Sequence, residues 1–532
     1  MNADSDQVSI RDAVEPLILA IDVGTSSARA LVYDCQGRPV QGMDVHRPYN
    51  VTATSDGGVE IDPRMLLDLV LACVDDVACA LDRAKQRVSA VACDTFWHSV
   101  MGVDRHGEQT TAILTWADTR SRDAARRLQQ RLDDRAVHAR TGAVLHSSYL
   151  PAKLAWLRAS RSELFKDSVY WMSFAEFMYM RLFGERRVSI SMASATGLFD
   201  QTSCQWDAEL IDVLGLTDGS LSPIFEFTER FVRLKPPYVE RWPALSGVPW
   251  YLALGDGACN NVGSGGSNED RAVAMIGTSG ALRVVYQDDR LRMPWGLWTY
   301  RVDRPRFVSG GALSDGGNVF AWLVKTFRLD AVDILERELL EMAPDSHGLT
   351  MLPFLAGERS PDWNVDATAA LVGMRLDTTA LQIARAALES IAYRFALIYD
   401  ALAAVVPIRR GIIGSGVGLI HSPVWMQIMT DVLGQPLVAS AASEASSRGA
   451  ALLVLESMGA IGNVQDIPAP LGTKYAPDKA RGAVYRAAME RQTRLYDRLI
   501  KVHLEDEASV APASSRKDKV GAKAPGKGEV DG

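Results

Sequence analysis

One short pattern occurs twice in this chain of 532 residues, and the two copies lie 253 positions apart. The stretches AIDVGTSSARALVYD (residues 20–34) and AMIGTSGALRVVYQD (residues 274–288) each read as an apolar strand, a Gly-Thr-Ser turn and a second strand. The match starts at Gly24 and Gly277 and continues to a tyrosine near the end of each copy. A duplicated β-hairpin of this kind predicts two similar domains that face each other across a cleft.

Segments with apolar residues at helical spacing lie between and after the hairpins, as in residues 62–81 and 379–405. Residues 422–434 also carry helix end signals, with Ser422 as the N-cap and Gly434 as the C-terminal cap. Strands that alternate with helices predict the α/β class, and the duplication predicts two lobes with a cleft between them.

The domain boundaries follow from composition. The Gly- and Ser-rich stretch 263–271 marks a junction, so we predict a first domain over residues 17–266 and a second over residues 267–503. Residues 1–16 are polar, and residues 504–532 are rich in Ala, Gly, Pro, Ser and Lys with almost no large apolar side chains. We predict that both terminal segments are disordered.

The composition argues against several classes of partner. The net charge is −8 and no basic stripe interrupts the body of the chain, which argues against a nucleic-acid partner. No apolar run approaches the roughly 18 to 20 residues of a membrane span, so no membrane partner is expected. Six cysteines without zinc-like spacing predict reduced thiols and a cytoplasmic protein. With nucleic acid and membrane disfavoured, the expected partner is a small molecule.

The Gly-Thr-Ser turns favour phosphate binding. A turn without bulky side chains exposes backbone N–H groups and short hydroxyls, which can cradle phosphate oxygens. Asp22 ends the first apolar run, where a carboxylate can hold Mg²⁺ through water because Mg²⁺ dehydrates reluctantly. Met275 replaces it in the second copy. The alternative is a pair of ordinary turns and an aspartate that caps a strand end.

Another acid follows a later apolar strand, in WYLALGDGACNNVGSG (residues 250–265). Asp256 lies between Gly255 and Gly257, whose small size would let a substrate approach the backbone closely. Phosphoryl transfer to a hydroxyl needs a base that accepts the hydroxyl proton, and we predict that Asp256 is this base. The alternative is that Asp-Gly marks only a turn.

Two further patterns fit a kinase less specifically. GSGVG (residues 414–418) could lie flat against a nucleotide base or ribose, although it lacks the full GxGxxG spacing and a Walker lysine. In DTFWHS (residues 94–99), the indole of Trp97 can cover sugar carbons while the imidazole of His98 bonds hydroxyls. A purely structural histidine is the alternative.

The order of these motifs, from Leu17 to Val502, resembles that of the FGGY family of carbohydrate kinases. DVGTSSARALVYD resembles the first phosphate motif of the family, IGTSGALRVV the second, LGDGACNN the catalytic-aspartate loop, and GSGVGLIHSPVWMQIMTDVLGQP the adenine-side glycine loop with its helix. The resemblance implies an actin-like, ribonuclease-H-type fold in two lobes, with ATP and Mg²⁺ as cofactors.

Three stretches resemble gluconokinases within this family: LTWADTRS (114–121), SMASATGLFD (191–200) and FLAGERSPDWNVDA (354–367). They imply phosphorylation of D-gluconate at its terminal hydroxyl to give 6-phosphogluconate. Within the same class, the alternative is a kinase for a ketopentose or polyol such as xylulose, ribulose, glycerol or erythritol. From another class, the alternative is a non-catalytic actin-like nucleotide switch. The oligomeric state stays open, with a homodimer as one option.

The resemblance also implies roles for individual residues. Asp256 would be the general base and would hold Mg²⁺ through water together with Asp22. The contacts with ATP would come from Thr25, Ser26, Arg29, Thr278, Gly317, Gly414, Gly416 and Ser422. The contacts with the sugar would come from Trp97, His98, Asp118, Lys153 and Gly257. Gluconate carries a carboxylate, and Lys153 or His98 would supply the cation that meets it.

Overall fold

The computed structural model of the protein describes residues 7–329 and 332–501. Two mixed β-sheets of seven strands each form its framework, one from each half of the chain, and helices pack against both. No helix in these described ranges is long and apolar enough to cross a membrane.

The first half of the chain contributes sixteen strands. They are β1 (Ile18–Val23), β2 (Ser27–Tyr33), β3 (Pro39–Pro48), β4 (Thr52–Ala53), β5 (Val59–Ile61), β6 (Ala90–Thr95), β7 (Met101–Val103), β8 (Ile113–Leu114), β9 (Tyr170–Met172), β10 (Val188–Ser189), β11 (Phe199–Asp200), β12 (Gln205–Trp206), β13 (Ile224–Phe225), β14 (Arg230–Phe231), β15 (Trp250–Tyr251) and β16 (Leu254–Gly255).

The second half contributes the remaining strands of the described ranges. They are β17 (Ala272–Ile276), β18 (Gly280–Gln287), β19 (Trp298–Arg301), β20 (Arg306–Leu313), β21 (Thr350–Leu352), β22 (Ala370–Val372), β23 (Ile412–Ser415), β24 (Leu437–Ser440) and β25 (Leu471–Tyr475).

The α-helices are distributed over both halves. They are α1 (Pro63–Ala84), α2 (Arg122–Arg131), α3 (Asp134–Thr141), α4 (Leu150–Ser160), α5 (Ser162–Asp167), α6 (Phe174–Phe183), α7 (Ile190–Ser194), α8 (Ala208–Leu214), α9 (Pro236–Arg241), α10 (Asp256–Gly263), α11 (Gly317–Phe327), α12 (Val332–Glu341), α13 (Ala380–Ala403), α14 (Val417–Ile420), α15 (Pro423–Leu433), α16 (Ala445–Ser457) and α17 (Lys479–Tyr496).

The two large sheets share one topology. The first has the order β14-β15-β6-β1-β2-β3, with β16 also paired to β6, and the second has the order β19-β20-β18-β17-β23-β24-β25. In each sheet the hairpin strands are antiparallel, as β1–β2 and as β17–β18. In each, the first hairpin strand also pairs in parallel with a later strand, β6 or β23. The duplicated α/β architecture predicted from the repeated hairpin is therefore confirmed.

Local sequence signals explain why the main elements form. Every residue of β1 is buried, because helices cover this part of the sheet, and a strand covered in this way reads as one apolar run. Helix α15 begins and ends at the signals expected for it: the Ser422 hydroxyl accepts from the Trp425 N–H, and Gly434 has a left-handed conformation. Thr379 and Gln382 form a capping box at the start of α13.

The chain returns to the first lobe near its C-terminal end. Helix α16 packs against β1, β6 and α10, and its residues 450–455 belong to the hydrophobic core of the first lobe. The Arg448 guanidinium donates to the carbonyls of Gly37 and Gly263. The proposed division between residues 266 and 267 therefore does not separate two independent cores.

The N-terminal segment corrects one prediction. The sequence predicts disorder for residues 1–16, but Val8 is buried and bridges to Val40. Its N–H donates to the Pro39 carbonyl at 2.9 Å, so residues 7–16 form an ordered edge of the first lobe. Residues 1–6 and the predicted tail over residues 504–532 lie outside the described part of the chain.

Candidate active site

The tips of the two hairpins meet at one cavity of about 190 Å³. Thr25 of the first turn and Ser279 of the second both line it. In each turn the leading glycine donates its N–H to a backbone carbonyl 3.0 Å away, Gly24 to Ser27 and Gly277 to Ser279. The two hydroxyl-bearing turns thus face the same gap between the lobes.

Asp256 lines the same cavity, as the first residue of α10. The preceding strand β16 pairs with β6, which fixes where this helix begins. The Asp256 Oδ1 accepts a hydrogen bond from the Gly257 N–H at 2.7 Å. Burial raises the pKa of Asp256 above its ordinary value, and the positive charge of Arg283 opposes that effect. A carboxylate with a raised pKa is a stronger proton acceptor, as a general base requires.

The glycines beside Asp256 make room for an indole. A Cβ at Gly255 would lie 1.8 Å from the ring of Trp97, and one at Gly257 would lie 2.6 Å from it. The Trp97 Nε1 donates to the Ser191 carbonyl at 3.2 Å, which holds the ring in place. Trp97 lines the cavity, whereas Gly257 is buried behind it. The substrate contact at Gly257 stays a prediction.

Aromatic rings surround His98 in the cavity wall. The ring centroids of Tyr149 and Tyr300 lie 5.0 and 5.3 Å from that of the imidazole. The His98 Nδ1 bonds the Ala195 carbonyl at 2.6 Å, and since a carbonyl only accepts, Nδ1 carries the proton. Burial lowers the pKa of His98 to about 3, so the ring is neutral near pH 7. His98 can bond a hydroxyl, but it does not supply the cation predicted for a substrate carboxylate.

Asp118 and Lys153 lie one layer behind the cavity wall. Asp118 is 1% exposed, and its Oδ2 accepts from Arg120 at 2.5 Å and from the Val59 N–H at 3.3 Å. Lys153 is 0% exposed, and its ammonium donates to the Ser147 carbonyl. Burial lowers the pKa of Lys153 to about 7. In the structure these two side chains support the wall and do not line the cavity, and their contact with a sugar stays a prediction.

Asp22 has an acidic neighbour that the sequence analysis does not name. Asp94 stands directly opposite Asp22 in the parallel pair β1–β6, and both are buried. Neither oxygen of Asp94 has a hydrogen-bond partner within the described residues. Burial raises the pKa of Asp22 to about 6, opposed by Arg29, and burial together with the Asp22 charge raises the pKa of Asp94. The sequence does contain a signal for this pair of acids, because each aspartate stands near the end of an apolar strand.

These carboxylates fit a divalent cation. Buried acids that lie side by side repel each other when ionised, and a cation relieves that repulsion. Asp256 adds a third acid whose charge also acts on Asp22. Carboxylate oxygens are the ligands that Mg²⁺ prefers, so Asp22 and Asp256 have the chemistry predicted for them.

Arg29 and the two turns form the phosphate side of the predicted site. Ser26 and Thr278 are exposed at the tips of their turns. The Arg29 Nη1 lies 3.5 Å from Asp22 and 2.5 Å from the Glu444 carboxylate. Arg29 therefore links β2 to the start of α16 in this state, and its guanidinium is already used by two acids.

Two glycines of the second lobe pack tightly against its hairpin. A Cβ at Gly317 would lie 2.5 Å from the Gly277 carbonyl, to which the Gly317 N–H donates at 2.9 Å. Gly416 has φ +84°, and a Cβ there would lie 2.5 Å from the Ile276 carbonyl. Both positions therefore need glycine. Gly414 is buried, with the Met426 sulfur 2.8 Å from a Cβ placed on it, so it shapes the loop from within.

Ser422 has a structural role in this state. Its hydroxyl accepts from the Trp425 N–H at 3.1 Å and donates to the Glu336 carboxylate. The structure shows Ser422 as a helix N-cap, and its contact with adenosine stays a prediction.

A larger cavity of about 730 Å³ adjoins the first and includes Thr278 and Asn318 in its lining. Arg359 lines both cavities, and Arg283 lines the smaller one. The sequence analysis names neither arginine, although both stand inside motifs that it quotes, GALRVV and GERS. A single arginine in such a motif carries no signal of its own, because the direction of its side chain depends on the fold.

A separate group of ligating side chains lies outside the cleft, at Asp345, His347 and Glu389. Arg385 bonds Glu389 at 2.7 Å and Arg491 bonds Asp345 at 2.6 Å. Because the two arginines already neutralise these acids, the group serves to join α13 and α17 and is not a candidate metal centre.

The comparison with protein families covers most of the chain. The profile of the FGGY family of carbohydrate kinases, N-terminal domain, matches residues 17–263, and that of the C-terminal domain matches residues 272–457. Among characterised relatives, a gluconokinase of Bacillus subtilis (strain 168) is 27% identical over 487 residues, which cover 89% of this chain and 94% of the relative.

Solved structures give the same result. A ligand-bound xylulose kinase from Lactobacillus acidophilus has a TM-score of 0.85 at 25% identity and covers 92% of this chain and 99% of its own. A gluconate kinase from Lactobacillus acidophilus has a TM-score of 0.84 at 25% identity, over 91% of this chain and 98% of its own. These likenesses confirm the two-lobed, actin-like fold of ribonuclease-H type. The chain belongs to the FGGY family of carbohydrate kinases.

Proposed function

We propose that this protein transfers the γ-phosphoryl group of ATP to the terminal hydroxyl of D-gluconate, giving ADP and 6-phosphogluconate. One observation carries the proposal: Asp256 is the sole acid that lines the smaller cavity within the described residues, and both hairpin turns reach that cavity. A base, a sugar-sized space and two phosphate-binding turns are what phosphoryl transfer to a hydroxyl requires.

Asp256 acts on the hydroxyl that attacks. Its carboxylate accepts the hydroxyl proton as the oxygen forms a bond to the γ-phosphorus and the bond to the ADP oxygen breaks. Burial favours this step, because it raises the proton affinity of the carboxylate and excludes competing water. The Arg283 charge opposes that rise in the pKa of Asp256 and so favours the ionised carboxylate that the step needs.

The hairpin turns hold the phosphates. Backbone N–H groups and the hydroxyls of Thr25, Ser26 and Thr278 can donate to phosphate oxygens without large side chains in the way. Gly317 and Gly416 bring two further backbone segments against the second turn, and no Cβ could fit there. We place the nucleotide on this side of the cleft.

Mg²⁺ is the second cofactor that we propose, held through water by Asp22 and Asp256. When bound, it neutralises the negative charge of the phosphates during transfer. The buried, unpartnered carboxylate of Asp94 beside Asp22 supports a cation at this end of the cleft. Burial raises the pKa of Asp22 and of Asp94, and the Asp256 charge raises both further, which a cation would relieve.

The choice of gluconate rests on the relatives and on the charge of the cavity. A gluconokinase and a gluconate kinase are among the similar proteins, and two arginines line the cavity. The similarity to a xylulose kinase supports the alternative of a ketopentose or polyol. An actin-like nucleotide switch has no use for Asp256 in a sugar-sized cavity. A cytoplasmic location stays a prediction; the six cysteines form no disulfide.

A substrate panel tests the proposal. ADP release would be measured with gluconate, xylulose, ribulose, glycerol and erythritol at matched concentrations, and the phosphorylated carbon would be located by nuclear magnetic resonance. We expect fast turnover with gluconate and phosphate on its terminal oxygen. Strong turnover of a neutral sugar with none on gluconate would overturn the substrate, and ATP binding without any sugar phosphorylation would overturn the kinase reaction.

A further inference from the structure

The smaller cavity contains two guanidinium groups that form no salt bridge within the described residues, although the Asp256 charge acts on Arg283. Arg283 and Arg359 both line it, and neither forms an ion pair in the described part of the chain. Buried N–H groups of each also lack any hydrogen-bond acceptor there: Nε and Nη1 of Arg283, and Nε of Arg359. Charged groups left unpaired in a buried place destabilise a fold, so two such arginines in a cavity wall are suited to an anion.

Strand pairing aims Arg283 into the cavity. Ala281 stands opposite Met275 in the β17–β18 pair, and Arg283 lies two residues further along β18, so all three side chains share one face. All three line the cavity. Across the next strand, Arg283 stands opposite Gly310, which leaves space for its long side chain. The guanidinium is therefore presented by the rigid centre of a sheet.

Arg359 is held in a different way. Its Nη2 donates to the Leu313 carbonyl at 2.7 Å, and its guanidinium carbon lies 4.7 Å from the centroid of the Trp116 ring. These contacts fix the plane of the group while its Nε remains without an acceptor. Burial lowers the pKa of Arg359 to about 10, so the side chain is still a cation near pH 7.

The surroundings make these cations selective for an anion. Much of the remaining wall consists of the rings Trp97, Trp298, Tyr149, Tyr300 and Trp363. Such a wall excludes water, and charge-assisted hydrogen bonds are stronger where water is excluded. His98 and Lys153, the two cations predicted from the sequence, do not compete with the arginines for an anion. His98 is neutral, and Lys153 lies behind the wall.

We propose that Arg283 and Arg359 together bind the carboxylate of an acyclic sugar acid in the smaller cavity. This inference rests on the proposed function and deepens it, since it names the residues that separate acids from neutral sugars. The carboxylate would lie between the two guanidinium groups that line the cavity. Two guanidinium groups can then each donate to it, and a neutral alcohol would leave them unpaired.

The first experiment compares ligands that differ only in the charged group. Equilibrium binding to the wild-type protein would be measured by calorimetry without nucleotide, so that no turnover occurs. The pairs are D-gluconate with D-glucitol, D-xylonate with xylitol, and D-glycerate with glycerol. We expect the acid of the favoured length to bind roughly 30-fold or more tightly than its alcohol, as for one missing partner of a buried charge pair. Equal binding of acid and alcohol would overturn the inference.

The second experiment removes each guanidinium. Arg283→Met and Arg359→Met should each bring the affinity for the acid towards that for the alcohol, with the affinity for the alcohol and the KM for ATP unchanged. Arg83→Met, at an exposed arginine near the end of α1, is the matched control and should change neither. A rise in the KM for ATP with an unchanged ratio of acid to alcohol would mean that the arginines serve phosphate, which would overturn the inference.

Two further measurements test the inference if a methionine variant does not fold or if gluconate is not the substrate. If thermal unfolding shows that a methionine variant does not fold, Arg283→Lys and Arg359→Lys would be used instead. These variants keep the charge but lose the planar guanidinium group. We expect them to bind the acid with intermediate affinity and the alcohol normally. Failure of gluconate as substrate would look different: an acid of another chain length would bind best, and its preference over the matched alcohol would still depend on both arginines.

Discussion

The two hairpins share a backbone plan but differ in charge at equivalent positions. In the first lobe, Asp22 stands opposite Asp94 in the parallel pair β1–β6. In the second lobe, the corresponding pair β17–β23 places Met275 opposite Ser415. The same pair of positions thus carries two buried acids in one lobe and no charge in the other.

This difference shows how a duplicated fold divides one reaction. The turn, its glycine hydrogen bond and the order of the central strands are the same in both lobes, and in the proposed function both turns face the phosphates. The side chains at the strand ends are free to differ. The first lobe contributes acids suited to a metal ion and a hydroxyl proton, whereas the second contributes Gly317, Gly416 and the cation Arg283.

The largest expected effect comes from replacing an acid of the first lobe. Asp256→Asn removes the proton acceptor but keeps the shape of the side chain, so kcat should fall by roughly 10²- to 10⁴-fold. Its affinity for ATP should stay within about twofold, since the turns that hold the phosphates are unchanged. Stopped-flow ADP release and calorimetric ATP titration would check both. An active variant would show that another group accepts the proton.

The next effect tests whether the acids of the first lobe serve a metal ion. Asp22→Asn should raise the Mg²⁺ concentration for half-maximal activity by at least about tenfold, because a neutral amide is a poorer partner for a cation. Asp82→Asn, at an exposed acid of α1, is the control and should not change it. Binding of Mn²⁺, followed by electron paramagnetic resonance, should weaken in parallel. An unchanged metal requirement would contradict the role of Asp22.

A third variant tests the second lobe, which carries no charge at the equivalent pair of positions. Gly416→Ala places a methyl group 2.5 Å from the Ile276 carbonyl, so it should displace the second hairpin and raise the KM for ATP by roughly tenfold, about 1.4 kcal/mol. Gly434→Ala is the matched control, since Gly434 also has positive φ but nothing lies within 4 Å of its Cβ position. Gly434→Ala should lose about 1–2 kcal/mol of stability through left-handed strain, and Gly416→Ala should lose more, because its φ of 84° and ψ of 140° lie outside the left-handed helical region. Equal KM values would remove Gly416 from the nucleotide side.

The last expected effect concerns how the stability of the protein depends on pH. Burial lowers the pKa of both His98 and His146 to about 3, so the folded state binds fewer protons than the unfolded chain between pH 3 and 6.5. Stability is then fully present above pH 6.5 and is lost as the pH falls. Each histidine contributes a slope of up to about 1.4 kcal/mol per pH unit.

Urea unfolding at a series of pH values would measure this slope. His146→Gln should make the dependence of the free energy of unfolding on pH shallower by about one proton, while Arg83→Met should leave it as in the wild type. An unchanged slope in His146→Gln would mean that His146 is solvated in the folded state.

The features that could be predicted from the sequence are those that depend on neighbouring residues. The Gly-Thr-Ser turns, the caps at Ser422 and Gly434, and the acid Asp256 after its strand all depend on residues within a few positions of one another. The placement of side chains that depend on distant partners could not be derived from local sequence. Lys153 and Asp118 were expected at the sugar, but side-chain packing turns both behind the wall. Helix α16 lies far along the chain and still packs on the first sheet.

The sequence alone determined the duplication, the two turns and the family resemblance, because these features are written in short, contiguous motifs. Only the tertiary structure decided where Arg283 points. Four residues separate the paired ends of β1 and β2, Val23 and Ala28, but only three separate Ile276 from Gly280 in the second hairpin. Side chains alternate along a strand, so this difference of one residue moves Arg283 to the cavity face, whereas its sequence-aligned counterpart Ala30 faces away from Asp22.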